Sequence, residues 1–135
     1  TEPSIEVAPD GAIWITGPTG FTRGATSQDP GVYTHDHGLF ESRDGGATWT
    51  PNTPIPGYGR DVCPGGGDSD LAIAPDGFMV LVDLNLESVP VAVSTDDGAS
   101  WLFNCQSNIL PAQDRQWVEA SDDYVWVMAN QLPAG

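Results

Sequence analysis

The stretch Ser42-Arg43-Asp44-Gly45-Gly46-Ala47-Thr48-Trp49 returns as Ser94-Thr95-Asp96-Asp97-Gly98-Ala99-Ser100-Trp101. Both read S-x-D-x-G-x-[ST]-W. The second copy sits between two short apolar runs of strand character, Val91-Ala92-Val93 and Trp101-Leu102-Phe103. Its Asp-Asp-Gly centre is hairpin chemistry, because Gly98 takes positive φ at no steric cost. Ser94 and Asp96 carry short polar side chains that bond backbone amides inside such a turn. Trp101 supplies a large apolar group to pack beneath it. Ser42, Asp44, Gly46 and Trp49 take the same parts in the first copy. These carboxylates are expected to hold turns, not to carry chemistry.

A second repeat runs through the same chain. Ile5-Glu6-Val7-Ala8-Pro9-Asp10-Gly11 matches Leu71-Ala72-Ile73-Ala74-Pro75-Asp76-Gly77. Trp117-Val118-Glu119-Ala120-Ser121-Asp122-Asp123 is a degenerate third copy, which sets Trp117 in the place of Leu71. An apolar strand follows each, over 12–15, 78–82 and 124–128. The unit is strand, Asp-Gly-type turn, strand, connection, strand, serine–aspartate turn, strand. Four antiparallel strands per unit predict an all-β fold built of β-propeller blades. Blade one covers about 4–50, blade two about 70–105, and a partial third about 117–129. A closed propeller takes about four to eight blades. Residues 1–135 are therefore expected to be part of one larger propeller, about two and a half blades of it. Further blades of the same protein, or other copies of the chain, would complete it.

On these motifs the sequence resembles the Asp-box, or BNR-repeat, β-propellers of the sialidase-like superfamily. Gly65-Gly66-Gly67-Asp68-Ser69-Asp70-Leu71-Ala72 and Asp114-Arg115-Gln116-Trp117 look like phrases of secreted bacterial members. The resemblance implies boxes that serve the fold and lie away from the ligand face. For true sialidases it implies three arginines on the substrate carboxylate, a tyrosine nucleophile paired with a glutamate, and an aspartic acid–base. The first arginine of that set usually stands in an Arg-x-Pro phrase. None of Arg23, Arg43, Arg60 and Arg115 is followed by x-Pro, so no catalytic residue carries over. The implied function is a secreted or cell-surface module that binds glycan, protein or its own copies without catalysis. The alternative is part of a sialidase-like or other glycoside hydrolase, since the same fold hosts both.

Composition narrows the partners. The formal charge is −15, with four basic residues, all arginine. Phosphate binding needs a basic surface, so nucleic acid is an unsuitable partner. An acidic excess suits an extracellular, calcium-rich or saline setting, and also plain solubility in any setting. No apolar run is long enough to span a membrane, and no leader-like stretch opens the chain at Thr1. Cys63 and Cys105 bracket the second blade. A bond between them would close a loop of roughly 40 residues and stabilise by about 4 kcal/mol in the chain-entropy model. Two free thiols are the alternative.

The candidate site comes from the residues that enter the first strand of each unit. Glu2-Pro3-Ser4, Asp68-Ser69-Asp70 and Asp114-Arg115-Gln116 hold equivalent places. In a propeller that strand is innermost, and its start lies at one mouth of the channel. Glu2, Asp68 and Asp114 would approach one another there, with Asp70 and Arg115 beside them. Gathered carboxylates call for a cation, and hard oxygen ligands at Asp68 and Asp114 suit calcium. Arg115 would instead clamp a ligand carboxylate. The plainer alternative is that all five residues close turns and cap strand ends. Two other features stand apart. Asp83, in an apolar run, is expected to face the side of Met79 and Leu81 and to need a partner. His35-Asp36-His37 offers two imidazoles but no third metal ligand nearby.

Overall fold

Among the described residues, the two boxes and the three strand–turn–strand repeats fold into ten strands and no helix. The computed structural model describes residues 3–18, 38–52, 67–84, 88–105 and 112–132. Strands β1 (Ser4–Val7), β2 (Ile13–Thr16), β3 (Leu39–Ser42) and β4 (Thr50–Asn52) form one antiparallel meander. Strands β5 (Ser69–Ile73), β6 (Met79–Asp83), β7 (Val91–Ser94) and β8 (Leu102–Asn104) form a second. Strands β9 (Gln113–Ala120) and β10 (Val125–Gln131) pair as a third. The all-β class is as expected, and the four-stranded sheets are compatible with propeller blades.

Local chemistry closes the first hairpin of each sheet. Ala8 donates to the Ala12 carbonyl at 2.8 Å, and Ala74 to that of Phe78 at 2.8 Å. The Asp10 carboxylate accepts the Ala12 N–H at 3.0 Å, and the Asp76 carboxylate that of Phe78 at 2.9 Å. These are Asx turns, and they explain why both repeats carry Asp-Gly there. In the third sheet Ser121 donates to the Tyr124 carbonyl at 2.8 Å. That turn is one residue shorter than the other two.

Alternation along the strands sends apolar side chains to both faces of the middle sheet. Leu71, Met79, Leu81 and Ala92 pack on Ala8, Ala12, Trp14 and Leu39 of the first sheet. Ala72, Val80 and Val82 pack on Val118 of the third. A sheet covered on both sides explains why every residue of β6 is buried. Asp83 is among them, in line with Met79 and Leu81, and its carboxylate accepts the Leu84 N–H. Trp14 is only 1% exposed. Its ring lies against the backbone of Gly98, in the box of the next sheet. The first strands gather on one side, with β5 against both β1 and β9. Cys105 is disulfide-bonded; Cys63 lies outside the described residues.

The third copy needs a correction in register. The sequence sets Trp117 in the place of Leu71, which would turn Trp117 toward the middle sheet. The structure turns Gln116 and Val118 that way instead. The Gln116 side-chain amide donates to the Asp68 carbonyl, and Val118 joins the cluster with Ala72, Val80 and Val82. The short turn is the cause: losing one residue there slides β9 by one position, and a one-residue slip exchanges the faces of a strand. The pairing recovers beyond Arg115, where Asp114 lies opposite Asn130 and Gln116 opposite Ala129. Arg115 is the bulged residue, with φ of 58°.

Candidate functional site

Both boxes form the same set of bonds. In the second, Ser94 Oγ donates to Asp96 Oδ1 at 2.8 Å and accepts the buried Gly98 N–H at 2.9 Å. Asp96 accepts the Ser100 N–H at 2.8 Å and the Ser100 hydroxyl at 2.5 Å. In the first, Ser42 donates to Asp44 at 2.9 Å and accepts the Gly46 N–H at 2.9 Å. Asp44 accepts the Thr48 N–H at 2.8 Å and the Thr48 hydroxyl at 2.6 Å. Donors to the charged form lower a carboxyl pKa. The Thr48 hydroxyl, then the Thr48 amide and the Ser42 hydroxyl, hold Asp44 at about 2, down from 3.8. Asp96 moves the same way, through Ser100 first and then Ser94. The boxes also join the sheets. Trp101 Nε1 donates to Asn52 Oδ1 at 2.9 Å, and Asn52 Nδ2 donates to the Gly98 carbonyl at 2.9 Å. Trp49, the partner of Trp101 in the repeat, is 39% exposed.

At the strand starts, the candidate residues fall on β5, β9 and the residue before β5. Asp68 precedes β5, and its carbonyl holds Gln116. Asp70 reaches across to β9, where its Oδ2 accepts the Val118 N–H at 2.9 Å. These two bonds stitch the inner strands of neighbouring sheets. Ser69 does similar work toward the first sheet, its hydroxyl 2.8 Å from that of Thr16, and both are buried. Asp114 is exposed on β9. Arg115 is lifted out of the alternation by its bulge and lies over the ring of Trp117, 5.1 Å from its centroid. Glu2, Cys63 and the His35-Asp36-His37 run lie outside the described residues. Among the described residues no three His, Cys, Asp or Glu side chains group closely enough to hold a metal ion. Calcium takes about six to eight oxygen ligands, so Asp68, Asp70 and Asp114 do not make such a site by themselves.

Two carboxylates escaped the sequence argument. They are Glu6 of β1 and Glu119 of β9, and Glu6 feels the charges of Glu119 and of Asp70 on β5. Partial burial, then the charges of Glu119 and Asp70, raise the Glu6 pKa above 4.5. A signal was present: each lies directly opposite a tryptophan, Glu6 opposite Trp14 and Glu119 opposite Trp126. Aligning the third copy on that Glu–Trp pair would have found both, and would have set its register correctly. No protein-family model matches this sequence, and no curated protein matches it either.

Proposed function

We propose that the chain is part of an Asp-box β-propeller of the sialidase-like kind. It works as a secreted, non-catalytic module that binds a glycan or protein at the mouth where its inner strands begin. One observation carries this reading: two boxes with the same bond set each close the outer hairpin of a four-stranded sheet, while β1, β5 and β9 gather side by side. Box carboxylates saturated by turn donors are fold elements, which leaves recognition to the strand starts. The disulfide at Cys105 supports an oxidising, extracellular setting. Arg115 carries a planar guanidinium of the kind that pairs with a carboxylate, stacked over the Trp117 ring. Calcium, drawn by the charge of −15, would bind Asp68 and Asp114 with further ligands from elsewhere.

Calorimetric titration with a sialylated oligosaccharide, with and without calcium, tests the reading. Binding that Arg115→Ala abolishes supports it. Equal binding by the wild type and Arg115→Ala, or none by either, refutes the strand-start site. A calcium-dependent rise in melting temperature that Asp68→Asn reduces would support the cation arm by mass action. Glu6 favours a second reading, a glycoside hydrolase. Burial first, and then neighbouring carboxylates, raise its pKa, and a raised carboxyl pKa is what a general acid needs. Hydrolysis of an aryl glycoside, lost in Glu6→Gln, would decide for it.

A further inference from the structure

Four aspartates stand directly before a glycine: Asp10-Gly11, Asp44-Gly45, Asp76-Gly77 and Asp97-Gly98. The pairing carries latent chemistry. The glycine backbone nitrogen can attack Cγ of the aspartate carboxyl, and no Cβ shields that nitrogen. An N–Cγ bond forms, a carboxyl C–O bond breaks and one water leaves, which closes a succinimide ring. Water then opens the ring at either carbonyl. The product is aspartate again, or isoaspartate, in which the main chain runs through the former side chain. Mass is unchanged and no other reactant is needed. The step requires a nitrogen that is not donating elsewhere, and a carboxyl that is free to turn and to take a proton.

In three of the four pairs the carboxyl is held. Asp10 accepts the Ala12 N–H at 3.0 Å and the Arg43 guanidinium at 2.7 Å, while Gly11 N–H donates to the Ala8 carbonyl at 2.9 Å. Asp76 accepts the Phe78 N–H at 2.9 Å, while Gly77 N–H donates to the Ala74 carbonyl at 2.9 Å. Asp44 is saturated by Ser42 and Thr48 and stays ionised down to a pH of about 2. An ionised, anchored carboxylate is a poor target for a nucleophile.

Asp97 differs. It is the variable residue between Asp96 and Gly98 in the second box, and it is exposed. Ser94 and Ser100 spend their bonds on Asp96 and leave the Asp97 carboxylate aside. Its backbone is left-handed, with φ of 53°, a conformation that an L-residue keeps while the turn holds it. The remaining restraint is on the nitrogen, where the buried Gly98 N–H donates to Ser94 Oγ at 2.9 Å. The first box has Gly45 at this position and so offers no carboxyl there.

We propose that Asp97 is the site of aspartyl isomerisation in this chain, and that the Ser94 hydroxyl is the latch that governs it. The reaction proceeds when the second box opens locally. Its product does not fit the closed box. Isoaspartate adds a main-chain carbon just before Gly98, whose backbone meets the Trp14 ring and whose carbonyl accepts from Asn52 Nδ2 and Trp101 Nε1. A brief opening is thereby converted into a lasting loosening between the first and second sheets. This holds whatever the strand starts bind.

The full chain, kept folded for weeks in mildly acidic buffer, tests it. Digestion and electron-transfer fragmentation tell isoaspartate from aspartate at each position. Isoaspartate should accumulate at residue 97 ahead of residues 10, 44 and 76, whereas in denaturant all four pairs should convert at similar rates. Ser94→Ala should speed conversion at 97 by about five- to thirtyfold, the factor that one lost bond to a buried amide represents. It should leave residues 10 and 76 unchanged, and Ser94→Thr, which keeps the hydroxyl, should stay near wild type. A different pair leading in the folded wild type overturns the proposal. So does a folded Ser94→Ala chain that is no faster at 97. If Ser94→Ala does not fold, Asp97→Asn keeps the latch and suits the left-handed turn. Its deamidation, read from the mass, should be slower in the folded chain than in denaturant, and equal rates would overturn the latch.

Discussion

Replacing Gly98 by alanine probes the contact on which the stacking of sheets depends. Gly98 has φ of +76°, and a methyl group built there would stand 2.6 Å from the Trp14 ring and 3.3 Å from the Asn52 side-chain nitrogen. Two costs add. Forcing an L-residue into the left-handed region costs about 1–2 kcal/mol, and overpacking a filled contact costs about 1–3 kcal/mol. The expected loss is therefore about 2–5 kcal/mol. Each kcal/mol lowers the melting temperature by about 2–8 °C in domains around this size. Gly46→Ala separates the terms, since its φ is +90° but its nearest neighbour is at 3.7 Å. It should lose only the backbone part. Urea and thermal unfolding of both variants measure the difference. Equal losses would mean that Trp14 does not rest on the second box, and the sheet-to-sheet contact described here would fall with it.

Ser94→Ala leaves the buried Gly98 amide without its acceptor, so denaturant titration should show a loss of about 1–3 kcal/mol. Asp44 titrates lower in the fold than out of it, so its contribution is complete above its unfolded value of 3.8 and disappears as the pH falls through about 2. The stability gap between wild type and Asp44→Asn should accordingly narrow across that interval in acid unfolding curves. Glu6 moves in the opposite direction, so its ionisation opposes folding once the pH exceeds 4.5. Glu6→Gln should melt higher than wild type at neutral pH, with the gain vanishing in acid; a lower melting temperature at neutral pH would contradict the burial of Glu6 near the charges of Glu119 and Asp70.

The hairpins were legible in the sequence because their chemistry is local. Ser94, Asp96 and Gly98 act within a few residues of one another, and the Asp10 and Asp76 turns likewise announce themselves. The alternation along β6 was equally plain, with Asp83 on the side of Met79 and Leu81. The third repeat misled because strand periodicity fixes a face only once the turn length is known, and Ser121-Asp122-Asp123 gave no sign of a missing residue. The bond from Asp70 to Val118 was hidden for a different reason. It joins neighbouring sheets through a backbone amide, and a backbone amide leaves no mark in a sequence pattern. The crowding of Glu6 with Glu119 depends on how closely the first strands of different sheets approach, which is a property of the stack and not of any single repeat.

The short turn before Tyr124 and the bulge at Arg115 behave like a pair of compensating frameshifts. A deletion in the turn alone would leave every side chain upstream on the wrong face of β9, and an insertion alone would do the same from the other direction. Together they confine the error to five positions, 116–120, and restore Asp114 to the alignment that Asp68 holds. A tandem array can therefore drift in length inside one copy without disturbing where that copy begins. The surplus residue is held outside the ladder, so its identity is free of the hydrophobic alternation that governs its neighbours. In this chain that exempt position is an arginine, on a strand whose inward residues Gln116 and Val118 are buried.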